Sequence, residues 1–306
     1  MMNRATQNLN MKIMKRMRKS NEILLKLLFV IVLLFNNQTT ALSAQKSEFK
    51  YSTNSSLPSA RKNYQNNWKG FEIIEFKFNG VDAKIVFPKK AEPSKKWIWR
   101  TQFWAHEPQT DIALLNRGFH LVYVDLVDLY GSAHAMKRMS DFYTFLIKNF
   151  GLNSKTVLEG MSRGGLDAFN WASENTDNVF CLYVDAPVCD IRSWPGGLGK
   201  GEGSKSDWEK CLKAYNLTEL SVKDFKGIPL DNCIKLAKAK IPILSVCGDA
   251  DTVVPFEENS LKLAEIYRAA GGKIELIVKK GIGHHPHSLQ DPKPIVDFIL
   301  NHTPNQ

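Results

Sequence analysis

The sequence predicts an α/β fold: a mainly parallel central sheet with helices on both faces, an antiparallel N-terminal hairpin and an insertion after the sixth strand. Three patterns predict it. Short apolar runs alternate with longer amphipathic stretches from residue 97 onward. Those runs are apolar at nearly every position, as strands covered on both faces are. Near the start, two alternating runs flank Asn79-Gly80, a pair suited to a two-residue turn in which both residues take φ > 0.

Each element follows in order. FEIIEFKF (71–78) and VDAKIVF (81–87) are the hairpin strands. The aromatic run 97–104 is the third strand and LVYVD (121–125) the fourth. An amphipathic helix is expected over 133–150, then the strand TVLE (156–159), a helix over 164–174 and the strand VFCLYVD (179–185). After a long gap come the strand IPILSVC (241–247), a helix over 256–270, the strand KIELIV (273–278) and a closing helix over 294–301. The gap, about 186–240, exceeds the need of one crossover. It holds glycine-rich stretches and a helical segment around 207–215; an insertion at this sheet edge is expected to shape a binding site, and decorative surface structure is the alternative.

The chain has 306 residues, 43% of them hydrophobic, and a formal net charge of +10. That content excludes a disordered or collagen-like chain. The charge is uneven. Residues 1–44 carry seven basic side chains and one acid, Glu22. The apolar run ILLKLLFVIVLLF (23–35) follows this basic segment and is too short to span a bilayer, which takes roughly 20 residues. Small residues follow at Thr39-Thr40-Ala41 and Leu42-Ser43-Ala44. Residues 1–44 therefore read as an export signal, 45–68 as a polar lead-in and 69–306 as one domain. Without the signal the net charge is +4, which is no nucleic-acid footprint. The expected destination is periplasmic or extracellular, with membrane contact only through the signal.

The five cysteines contain no C-x-x-C pair, which argues against zinc ligation by thiolates. Cys181 and Cys247 lie in strand-like runs and read as buried thiols. Cys189, Cys211 and Cys233 share the polar insertion, where a disulfide could form; spacing does not choose the pair.

Three motifs carry chemistry. Gly160-Met161-Ser162-Arg163-Gly164-Gly165 follows a strand and opens a helix. This is the G-x-S-x-G nucleophile elbow in its required context. A serine nucleophile needs a base, and the base an orienting acid, in the chain order Ser, acid, His. Gly248-Asp249-Ala250-Asp251 follows a strand, and so does Gly281-Ile282-Gly283-His284-His285-Pro286-His287. Loops after parallel strands converge at one sheet edge.

With these motifs the chain resembles the α/β-hydrolase superfamily over residues 70–302. The resemblance implies that Ser162 is the nucleophile, Asp251 the acid and His284 the base. Asp249 is the alternative acid and His285 the alternative base. A metal reading of the clustered histidines matches no zinc signature by spacing, and no metal or cofactor is expected. WIWR, GMSRGG and GHHPHSL further resemble secreted bacterial carbohydrate esterases, and the triad order is shared with the prolyl-oligopeptidase type. The implied substrate is a small-molecule or oligosaccharide ester. Unlike many esterases the chain lacks an HGGG loop, so the expected oxyanion donors are the N–H of Arg163 and a backbone N–H near Phe103. Arg163 also matches an arginine that follows the nucleophile in glucuronoyl esterases; a salt bridge fixing the elbow is the other reading. Arg100, either paired with an acid or facing the pocket, is a candidate substrate contact. Trp104 and Trp194 are others, and Trp208 could also offer a face to a sugar. Asp125 and Asp185 end strands and could brace loops. His106, His120 and His134 have no sequence support as bases.

Overall fold

The computed structural model describes residues 66–304; the expected export signal and most of the polar lead-in lie outside them. The last lead-in residues form a short strand, β1 (Asn67–Trp68). It pairs antiparallel with β2 (Phe71–Phe78), and β2 with β3 (Val81–Phe87). The β2–β3 register closes at Phe78 opposite Val81, with Asn79 at φ 48° and Gly80 at φ 86° in the turn. Next along the chain come β4 (Trp97–Arg100), β5 (His120–Val124), β6 (Thr156–Met161) and β7 (Val179–Asp185). The last two strands are β8 (Ile243–Gly248) and β9 (Ile274–Lys279). The sheet order is β1-β2-β3-β5-β4-β6-β7-β8-β9. β3 and β5 are antiparallel, and the six strands from β5 to β9 in that order are parallel.

Strand alternation builds two cores. Trp97, Trp99, Val122 and Leu158 face one cluster, and Ile98, Leu121 and Val157 face the other. The first is covered by α2 (Ala133–Phe150), α3 (Gly164–Glu174), α5 (Pro229–Lys238) and α6 (Ser260–Ala269). The second lies under α1 (Gln109–Leu115) and α7 (Lys293–Asn301). No helix among the described residues is long and apolar enough to cross a membrane.

Several expectations change. The aromatic strand ends at Arg100 rather than residue 104, because Phe103 and Ala105 take positive φ and turn the chain away. α1 follows this turn and has no counterpart in the sequence reading. Residues 256–259 are turns, so α6 starts at Ser260. Counting β1, the insertion follows the seventh strand rather than the sixth. It contains α4 (Lys205–Tyr215) and ends in α5; its Val188, Ile191, Trp208, Cys211 and Val222 form a core with Tyr130, Leu166 and Val254 of the main fold. All five cysteines are buried and free, so the insertion holds no disulfide.

The topology positions the site. The chain leaves β4 to one side for β5, then returns past β4 to β6. The carboxyl ends of β4 and β6 therefore flank the reversal point, where a parallel sheet opens a crevice. A sealed ionic cluster lies at these two strand ends. Arg100 Nη2 is 2.6 Å from Asp111 Oδ2 and 2.9 Å from Glu159 Oε1, and all three residues are fully buried. Burial opposes the charge on Arg100, but Asp111 and Glu159 outweigh it and raise its pKa. Burial also pushes Glu159 well above the usual carboxylate range, against the pull of Arg100. Glu159 Oε2 and Asp111 Oδ1 are buried without a hydrogen-bond partner.

Candidate active site

The elbow Gly160–Gly165 makes its turn through strain and close packing. Ser162 sits at φ 47°, a conformation that side chains rarely adopt. A Cβ at Gly160 would lie 2.9 Å from the Gly164 carbonyl oxygen, and one at Gly165 only 2.6 Å from Pro187 Cβ. Only glycine lets strand, turn and helix come this close.

Ser162 Oγ lies 3.0 Å from His284 Nε2, and His284 Nδ1 lies 2.7 Å from Asp251 Oδ2. The other oxygen of Asp251 accepts the amides of Val253 at 2.9 Å and Val254 at 2.8 Å, which fixes the carboxylate. The acid and base side chains are nearly sealed from solvent. Asp249 instead accepts the Gly281 amide at 2.6 Å and pairs with Lys280. It ties the acid turn to the histidine loop. His285 is exposed and bonded to neither Ser162 nor an acid. Burial and the neighbouring rings of His287, His284 and His106 lower its pKa.

A cavity of about 170 Å³ opens beside the serine, lined by Phe103, His106, Ser162, His284, His285 and His287. The backbone amides of Arg163 and Phe103 donate to no protein acceptor among the described residues. The α3 amides that follow, of Gly165 and Leu166, bond back to Ser162 and Arg163. Two free donors thus stand on either side of the crevice, and the N-terminal end of α3 adds its dipole there.

The Arg163 guanidinium sits 5.3 Å over the Phe103 ring and 5.9 Å over that of Tyr130. Its contact with Asp207 of the insertion is long, at 3.4 Å, and its buried Nε has no partner. Tyr130 makes the shorter bond to Asp207, at 2.6 Å.

Three candidate substrate contacts lie outside the cavity. Arg100 is sealed in its ion pairs, and its Nη1 donates to the Phe103 carbonyl at 3.2 Å. It holds the crevice loop from behind and does not reach the cavity. Trp104 packs on Trp68 and Tyr123, at 5.2 and 5.6 Å between ring centres. Trp194 packs into the core of the insertion near Tyr130. Neither lines the cavity, and Trp208 is buried.

Two supporting acids complete the site. Asp185, at the end of β7, accepts from His287 Nδ1 and the Ser288 amide, both at 2.8 Å, and so braces the histidine loop. Asp167, in the first turn of α3, accepts from Gln102 Nε2 at 2.9 Å and the Gly131 amide at 3.1 Å. Burial pushes its pKa up to about 7, against those two hydrogen bonds. The Asp167–Gln102 contact was not foreseen, because it joins two loops that only the fold brings together.

No family model and no curated protein matches the sequence. Solved structures do match it in three dimensions. A puromycin-hydrolysing peptidase of Mycobacterium tuberculosis superposes with a TM-score of 0.57 at 15% identity, over 75% of this chain and 38% of that one. An acylaminoacyl peptidase of Pyrococcus horikoshii gives 0.56 at 17% identity, over 75% of this chain and 40% of that one. This is the α/β-hydrolase fold. The α/β-hydrolase scaffold explains why three loops after β6, β8 and β9 meet at one point. The chain spans about two fifths of the length of these two peptidases. Their activities belong to them.

Proposed function

We propose that the protein is an exported serine hydrolase that cleaves carboxylic esters through an acyl-enzyme, on esterified and in particular acetylated carbohydrate. One observation carries this reading: the hydrogen-bonded chain from Ser162 through His284 to Asp251. In it Ser162 Oγ attacks the ester carbonyl while His284 Nε2 takes its proton. Asp251 holds the imidazole and stabilises the cation that forms. The carbonyl oxygen, now negative, accepts from the amides of Arg163 and Phe103, with the Arg163 guanidinium close by. The tetrahedral intermediate expels the alcohol, which takes its proton from His284. Water deprotonated by His284 then releases the acid and restores Ser162. The cavity has the size that holds a benzene-sized group, which suits a small acyl moiety. The carbohydrate half of the reading rests on the resemblance of WIWR, GMSRGG and GHHPHSL to secreted esterases. The basic N-terminal segment and its apolar run support export.

The two peptidase neighbours favour a second reading, amide cleavage by the same triad. Fluorophosphonate labelling tests the nucleophile: the protein should label and Ser162→Ala should not. Hydrolysis of p-nitrophenyl acetate, acetylated and feruloylated oligosaccharides and a prolyl amide then ranks the substrates. Acetyl ester turnover above amide turnover is expected. Amide cleavage without ester cleavage would hand the site to the peptidase reading. A folded protein that neither labels nor turns over any ester would be a carbohydrate-binding module on this scaffold.

A further inference from the structure

Beside the triad, three histidines with no part in it come together. His106 arrives on the loop after β4, while His285 and His287 arrive on the loop after β9. One ring nitrogen from each lies within 4.8 Å of the others. The rings meet edge to face, with centres 4.8 to 5.9 Å apart. His284 stands next to them, but both of its nitrogens are occupied, one by Asp251 and one by Ser162.

We propose that His106, His285 and His287 form a binding site for a divalent transition metal of the zinc class, in the wall of the cavity that Ser162 opens into. The donor chemistry fits. Three imidazoles with a vacant fourth position are a common zinc arrangement, and imidazole selects the later first-row metals over magnesium or calcium. His287 carries the second mark of a metal ligand. Its Nδ1 is bonded at 2.8 Å to the buried Asp185, which fixes the ring and leaves Nε2 as the coordinating atom. A carboxylate behind a histidine orients it and raises its basicity toward a metal. Asp185 is itself anchored by Ser288 and Tyr183, so this support is rigid.

Geometry also allows closure. Bonds of about 2.0–2.1 Å in a tetrahedron place the nitrogens about 3.4 Å apart. The rings must therefore draw together by up to roughly 1.4 Å. His287 is held, but His106 and His285 are exposed and can rotate. The nearest charged group on the His106 side is Glu107, whose Oε1 is 3.7 Å from His106 Nε2, beyond a hydrogen bond. Water on the ion's remaining positions would share the cavity with Ser162 Oγ. A carboxylate or a hydroxyl pair of a ligand could displace that water. This site does not depend on the hydrolytic reading, since its ligands exclude all three triad residues.

The test is a titration of the untagged, full-length protein with Co²⁺, followed by the visible d–d band of tetrahedral cobalt and by displacement with Zn²⁺. One equivalent is expected to bind with a tetrahedral spectrum. His106→Ala and His285→Ala, at exposed positions that leave folding intact, should each weaken binding by at least roughly 10–100-fold. His284→Ala should keep the spectrum. Absence of stoichiometric binding would overturn the site, as would binding indifferent to His106→Ala. Loss of the spectrum in His284→Ala would overturn it too, by making the catalytic base a ligand of the metal. None of these results bears on whether Ser162 labels, so this site and the serine mechanism stand or fall separately.

Discussion

Two clusters of ionisable groups lie at the same edge of the sheet and are built on opposite terms. Arg100, Asp111 and Glu159 are sealed, and each charge is answered by a neighbour. Ser162 and His284 line a cavity together with His106, His285 and His287, three histidines that keep unused coordinating capacity. The two clusters differ in exposure and in unfilled valence. A buried, ion-paired cluster supports the fold, here by gripping the Phe103 carbonyl. An open cluster can exchange protons, bind an oxyanion or take a ligand. Arg100 shows how easily the one is mistaken for the other in a sequence.

The comparison can be broken at three points. The largest effect is expected in the open cluster. Asp251→Asn keeps an oxygen for the Val253 and Val254 amides but loses the charge behind His284. It should lower kcat on p-nitrophenyl acetate by roughly 10⁴-fold, or about 5.5 kcal/mol of barrier, with little change in Tm. If instead it only lowered Tm, the open cluster would be structural after all. The sealed cluster should behave the opposite way. Asp111→Ala leaves Arg100 short of a partner in the interior, so urea unfolding should show a loss of about 3–5 kcal/mol. Unchanged stability would mean that water reaches Arg100.

The smallest effect falls on Asp167, which stands between the two types. Its folded pKa of about 7 lies above its ordinary value of 3.8, so the folded state keeps a proton that the unfolded chain has lost. Its contribution is fully present below about pH 4 and is lost as pH rises toward 7, amounting to at most roughly 4 kcal/mol. Asp167→Asn should flatten that slope in unfolding free energies measured between pH 4 and 8. A slope identical to that of the parent protein would place the titration elsewhere.

Much of this was legible because it is local. Asn79-Gly80 marked its hairpin, and strands covered on both faces read as unbroken apolar runs. The three motifs were visible because each is a short stretch tied to a strand end, and the fold brings Ser162, Asp251 and His284 within hydrogen-bonding distance. What stayed hidden depends on distant parts meeting. β1 is two residues long and α1 is seven, too short for a period to show. The aromatic run to Trp104 looked like one strand, because nothing in its composition signals the positive φ at Phe103. His106 is a lone histidine in the sequence and gains neighbours only when the loop after β4 meets the loop after β9. Trp104 and Trp194 looked like sugar platforms, but each had apolar partners to cover it.

The base is the last part of the triad along the chain. It follows the nucleophile by 122 residues, on a loop that leaves β9, which among the described residues is an edge strand paired with β8. A chain growing from its N-terminus therefore holds the strained serine turn 122 residues, and Asp251 only 33 residues, before the histidine that bonds to both. Only with the docking of this final strand does His284 come beside Ser162 and Asp251.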